Sequence, residues 1–146
     1  MSEHRVAVSW NRQTESFAYE DYQREHQRLL GSGQQIPASA APAYLGSGKH
    51  ADPEEAFVAA VSACHMLSFL AICARRRLVV DRYEDQAVGF LRPNEEGRLA
   101  VTRVELAPRI EFSGNPPSAA ELERLHERAH KECFIANSVR TEIVLA

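Results

Sequence analysis

Between Asp52 and Leu78 the alternation of polar and apolar positions stops. Nineteen consecutive residues, Ala56 to Ala74, carry no charge and include only three polar side chains, Ser62, His65 and Ser68, with no Gly or Pro among them. The edges of the run read as helix ends. Asp52 can cap, Pro53 suits the first turn, Glu55 stands three residues after the cap, and Arg75, Arg76 and Arg77 place cations where a helix C-terminus favours them. A helix apolar on nearly every side needs protein or lipid around it. The length suits a bilayer span, but six of the nineteen residues are alanine and the flanking chain has ordinary strand and helix patterns. The pattern therefore predicts the central helix of a globular fold. One chain of 146 residues has little else with which to cover such a helix, so a homodimer with the two central helices buried together is expected.

Around this run the periods change. Residues 4–30 read as two strands separated by the turn at 11–14, with Tyr22, Arg24, His26 and Arg28 on one face by the period of two. Residues 31–51 have no period and are rich in Gly, Ala, Ser and Pro; they predict a long loop that wraps over a site or a partner subunit. Residues 79–92 predict one strand. Residues 99–112 predict another, with Val104, Leu106, Ile110 and Phe112 facing one way and Arg103, Glu105, Arg109 and Glu111 the other. Pro108 marks an edge or a bulge. Ser118 and Glu121 give a capping-box signature for a second helix with the apolar stripe Leu122, Leu125, Ala129 and Cys133, and a last strand follows. The expected class is α+β, order β-β-β-α-β-β-α-β, in a single domain over 1–146.

Composition adds limits. Net charge is −3 with mixed signs, which offers no electrostatic basis for nucleic-acid binding. The N-terminal residues contain no apolar signal region, so a cytoplasmic location is expected. Cysteines at 64, 73 and 133 do not form a secreted disulfide framework; in a reducing compartment they are free, metal-bound or catalytic.

Three groups of residues can carry chemistry. Cys64 and Cys73 are nine residues apart and fall on opposite sides of one helix, so they cannot pair, and Cys73 reads as core packing. Cys64 and Cys133 lie on different helices, each on an apolar stripe. They are either two core cysteines or two thiols in reach of one another, and the second arrangement permits a redox cycle. His126-Glu127-Arg128-Ala129-His130 matches the H-E-x-x-H zinc pattern, which needs a third ligand such as His65; the other reading is a solvated helix face. Glu54, at the acidic start of the central helix, precedes Cys64 by ten residues, about 15 Å of rise, so the two cannot touch on one straight helix.

Taken together, DPEEAFVAAVSACHMLSFLAICA, YEDQAVG and HKECFIANSV, with YQREH and IPASAAPAYLG as weaker matches, resemble the OsmC/Ohr family, the osmotically induced and organic hydroperoxide resistance proteins. The resemblance implies an α+β intertwined homodimer with sites at the subunit interface. It further implies a peroxiredoxin-like thiol peroxidase that reduces organic hydroperoxides, and in some members hydrogen peroxide, with no cofactor. Position by position, Cys64 matches the peroxidatic thiol, Cys133 the resolving thiol, and Glu54 the carboxylate that orients an arginine. Arg24 is the position chosen for that arginine, with Arg28 and Arg12 as alternatives. The implied cycle runs through a Cys64 sulfenic acid and a Cys64–Cys133 disulfide, closed by a dithiol or lipoyl-type reductant. Phe57, Met66, Leu67 and Phe69 would supply apolar walls for the substrate. His65, directly after the cysteine, departs from the best-known members. A zinc-dependent hydrolase using residues 126–130 and a non-catalytic dimeric binding protein are the competing classes.

Overall fold

The computed structural model describes residues 1–146, which divide into two compact units, Met1–Ala56 and Phe57–Ala146. In the first unit three antiparallel strands form one sheet in sequence order: β1 (Val6–Ser9), β2 (His26–Leu30) and β3 (Gln35–Ala38). The expected strand over 16–30 begins only at His26. Upstream of it, side chains rather than a ladder satisfy the backbone. The Trp10 indole donates to the Gln23 carbonyl at 2.9 Å, and the Arg24 guanidinium donates to the carbonyls of Tyr19 and Tyr22. Tyr22 and Arg24 thus leave the face that the period of two assigned to them.

The expected loop at 31–51 is partly ordered. It contains β3, a 3-10 turn at Pro42–Tyr44, and a parallel bridge from Ala38 to Ala51. Its last part folds so tightly that a Cβ on Gly46 would stand 1.6 Å from the Ala40 carbonyl oxygen, which only glycine tolerates.

Helix α1 (Pro53–Arg75) starts as the sequence predicts. The Glu55 N–H donates to Asp52 Oδ1 at 2.7 Å, and the Asp52 N–H to Glu55 Oε2 at 3.2 Å. The helix closes with the Leu78 N–H donating to the Cys73 carbonyl and with Arg77 in the left-handed region.

In the second unit, β4 (Val79–Asp85) pairs antiparallel with β7 (Pro108–Ser113), while β5 (Val88–Pro93), β6 (Leu99–Leu106) and β8 (Glu142–Leu145) form a separate sheet with β6 in the middle and β8 parallel to it. Helix α2 (Ala119–Glu132) begins with the expected capping box between Ser118 and Glu121. The order is therefore β-β-β-α-β-β-β-β-α-β. Each of the two strands expected over 79–92 and 99–112 is two strands in two sheets. Pro108 has no N–H to continue the ladder, and the Ala107 N–H donates to Asp85 Oδ1 at 2.7 Å.

Two apolar clusters result. Phe69, Ile72, Cys73, Leu125 and Ala129 form one, against Val80, Tyr83, Ile110 and Phe112; Val61, Val104 and Leu106 form the other, against Phe57, Val58 and Ile143. Only one stripe of α1 enters them: Val61, His65, Phe69, Ile72 and Cys73. Ala59, Ala60, Ala63, Leu67, Ala71 and Ala74 remain exposed. By length and composition alone α1 also meets the requirement for a bilayer span; what the structure adds is that one stripe of it carries the core.

Candidate thiol site

Cys64 stands midway along α1 and Cys133 caps the C-terminus of α2. All three cysteines are free thiols, and Cys133 is a neighbour of Cys64 across the two helices. Their surroundings differ. Cys64 is half-buried, whereas Cys133 is 1% exposed. Burial pushes the Cys133 thiol above its ordinary pKa, and the neighbouring Cys64 adds to the rise. The HKECFIANSV segment fixes Cys133 from behind. The Ala136 N–H donates to Cys133 Sγ at 3.4 Å, the Asn137 N–H to the Cys133 carbonyl at 3.0 Å, and the Asn137 amide to the Lys131 carbonyl at 3.0 Å. Cys73 is buried in the first cluster, where burial raises its pKa.

Beside the thiols lies a feature the sequence reading did not separate out. His65 and His126 are both buried, 3% and 6% exposed, and His65 Nε2 meets His126 Nδ1 at 3.0 Å. Their rings stack with centroids 5.3 Å apart, and Phe69 stacks on His126 at 4.5 Å. Burial lowers the pKa of His65 to about 4, with His126 and then His130 adding to the fall and Asp85 opposing it. Burial also lowers that of His126, again against Asp85. Asp85 is anchored where β4 ends: it accepts the Ser62 hydroxyl from α1 and the Ala107 N–H. The solvated-face reading of residues 126–130 therefore fails at His126. The signal that finds it is its spacing, since 122, 126, 129 and 133 run along the same apolar stripe.

The H-E-x-x-H pattern does not assemble. His126 Nδ1 is engaged with His65, His130 and Glu127 are exposed, and no three His, Cys, Asp or Glu side chains converge as metal ligands. Phe69, expected as a substrate wall, is 0% exposed and belongs to the core between Tyr83 and His126. Leu67 faces outward, and Phe57 packs against the second cluster.

The first unit holds the remaining expected site residues. Glu54 Oε2 is buried without a hydrogen-bond partner. Arg24 is stacked on the Tyr22 ring at 3.6 Å and donates to two carbonyls, so it makes no pair with Glu54. Arg12 donates to the carbonyls of Thr14 and Glu15. Arg28 is half-buried on β2, opposite Val8 and Ile36.

Comparison with known proteins agrees with this architecture. The family model described as OsmC-like protein matches residues 46–146. An OsmC-like protein of unknown function from Vibrio cholerae is 47% identical and superposes with a TM-score of 0.96, over 100% of this chain and 99% of that one. An organic hydroperoxide resistance protein from Elizabethkingia anophelis superposes with a TM-score of 0.75 at 17% identity, covering 100% and 96% of the two chains. For OhrB of Bacillus subtilis the values are 0.68 and 15%, over 99% and 96%. No curated protein matches by sequence. The last two likenesses carry the fold; the first, with the family model over most of the chain, carries kinship: this protein belongs to the OsmC-like family.

Proposed function

We propose that this protein is a cysteine-based peroxidase acting on organic hydroperoxides. The observation that supports the reading most is the pairing of a half-buried Cys64 thiol with a buried Cys133 thiol across two helices. In the proposed cycle the Cys64 thiolate attacks the O–O bond of ROOH. The S–O bond forms, the O–O bond breaks, and the alkoxide takes a proton and leaves as ROH. The Cys64 sulfenic acid then condenses with the Cys133 thiol, forming the disulfide and releasing water. A dithiol reductant takes the disulfide back to two thiols by exchange. Cys64 is the attacking group in this reading because it is the one a peroxide can reach; Cys133, shielded and made less acidic by burial, serves only the second step.

Glu54 and Arg24 take their roles from the family resemblance. An arginine held by a carboxylate favours the thiolate over the thiol. The partnerless buried oxygen of Glu54 supports that part of the reading, since such an oxygen is costly without a donor. A homodimer is part of the same proposal. The exposed face Ala59, Ala63, Leu67, Ala71 and Ala74 is a closely packable apolar surface, and Leu67 alone is 63% exposed.

The test is mass spectrometry of the reduced protein after one equivalent of cumene hydroperoxide. The expected product has lost two hydrogens and yields a linked Cys64–Cys133 peptide pair. A disulfide containing Cys73, or an unchanged mass, would overturn the proposal.

A further inference from the structure

Two side-chain pairs link α1 to α2 beside the site, the hydrogen-bonded His65 and His126 and the neighbouring thiols of Cys64 and Cys133, and they are placed unequally on the two helices. On α1 their residues, Cys64 and His65, are adjacent. On α2 their partners, Cys133 and His126, are seven positions apart, roughly 10 Å along the chain of the helix. One contact alone would leave α2 free to pivot about it. A second contact at that distance removes the freedom. The tolerance is small. Turning α1 by about 20° moves a ring tip roughly 6 Å from the axis through about 2 Å, which breaks a hydrogen bond of normal length. Disulfide formation is equally demanding, since the two Cβ atoms must come to about 3.5–4.5 Å.

Packing alone does not explain the pair. Two buried imidazoles cost free energy that an apolar pair of similar volume would not. What the imidazoles add is direction: one ring donates, the other accepts, and the 3.0 Å contact holds a single geometry. His65 has no other hydrogen bond to fall back on, because its Nδ1 is buried without a partner. Stacking with Phe69 keeps the His126 ring from swinging.

We propose that the His65–His126 pair is a positioning clamp that sets the rotation of α1 against α2 and so holds Cys64 and Cys133 in register for disulfide formation. The inference rests on the reading of these cysteines as a redox pair. It separates the two chemical steps. Attack on the peroxide needs only Cys64, so the clamp leaves it alone; condensation with Cys133 needs the alignment, so the clamp governs it.

The experiment follows Cys64–Cys133 disulfide formation in the full-length reduced protein by quenched alkylation, with cumene hydroperoxide in one arm and diamide in the other. Diamide takes two hydrogens from two thiols and becomes the hydrazine, so it reads alignment without any peroxide step. His126→Phe keeps a ring against Phe69 and deletes the bond. It is expected to slow disulfide formation by about tenfold in both arms, the fold-change a lost buried hydrogen bond carries. His126→Asn, whose amide stands where Nδ1 does, is expected to restore most of the rate. Sulfenic acid formation, trapped with dimedone in a Cys133→Ser background, should be the same with His126 and with Phe at that position. A His126→Phe protein that forms the disulfide at the wild-type rate, or that slows sulfenic acid formation as much as condensation, overturns the clamp. If the wild type ignores peroxide while the diamide arm behaves as described, the peroxidase reading fails and the clamp stands. Should His126→Phe not fold, imidazole NMR of the wild type decides. Disulfide formation must shift the His65 and His126 ring resonances, because coupling between two sites is reciprocal; unchanged resonances overturn the proposal.

Discussion

The three cysteines share a chemistry and differ in surroundings, and the expected phenotypes follow from the difference. Cys64→Ser should abolish peroxide turnover. Cys133→Ser should consume about one equivalent of peroxide and then stall or overoxidise, since the resolving thiol is needed only for recycling. Cys73→Ser should turn over like wild type, because its side chain is buried in the core with Ile72 and Ala129. A peroxide-consumption assay followed by mass spectrometry separates the three. Arg24→Ala is expected to slow peroxide consumption while leaving the fold intact; if Arg28→Ala slows it and Arg24→Ala does not, the arginine is the one on β2. His65 gives a pH signature of its own. Its native pKa of about 4 lies below the 6.5 of an unperturbed histidine. Above that ordinary value both folded and unfolded states are neutral and stability is full. As pH falls through 6.5 toward 4 the unfolded chain takes up a proton that the native site refuses, and stability is lost, on the order of 3 kcal/mol for the complete loss. Urea unfolding between pH 7.5 and 4 should show a steeper decline for wild type than for His65→Gln. Parallel profiles would contradict it.

At the scale of elements, α1 is tied to the strands by close approach. A Cβ on Gly89 of β5 would stand 2.4 Å from the Val58 methyl of α1. Gly89→Ala should therefore destabilise the protein by about 1–3 kcal/mol, and Val58→Ala in the same chain should recover part of that loss, a coupling that a double-mutant cycle measures directly. Phe69→Ala should cost about 3–5 kcal/mol in denaturant unfolding, as expected for a fully buried ring whose site cannot collapse. Both expectations depend on contacts that local pattern does not contain. The alternation of Val104, Leu106, Ile110 and Phe112 runs unbroken past Pro108. Yet Val104 and Leu106 pack in one cluster, and Ile110 and Phe112 against the other. An even spacing across the break kept the period and hid the change of sheet.

For the whole molecule, the exposed stripe of α1 is the surface that association would cover. Light scattering at micromolar concentration should give a homodimer, and Leu67→Glu, which puts a charge in the middle of that stripe, should shift it toward monomer. A wild-type monomer at that concentration would remove the dimer from the proposal.

The sequence by itself determined the elements whose causes are local. The ends of α1 and α2 follow from capping side chains three residues apart, and the inward stripe of α2 from its period. The fold class followed from the same signals, and the family from motifs in order along the chain. Tertiary structure alone decided where side chains from distant positions meet. The strand expected at 16–25 lost to Trp10 and Arg24 satisfying backbone carbonyls. His126, for which a solvated face was one of two readings, is buried, and His65, sixty-one residues away, gives its ring a partner. Cys64 and Cys133 were each visible as a thiol on an apolar stripe, but which rotation of α1 faces α2 is set by contacts between side chains distant in sequence, the His65–His126 pair among them, and no periodicity within either helix records it.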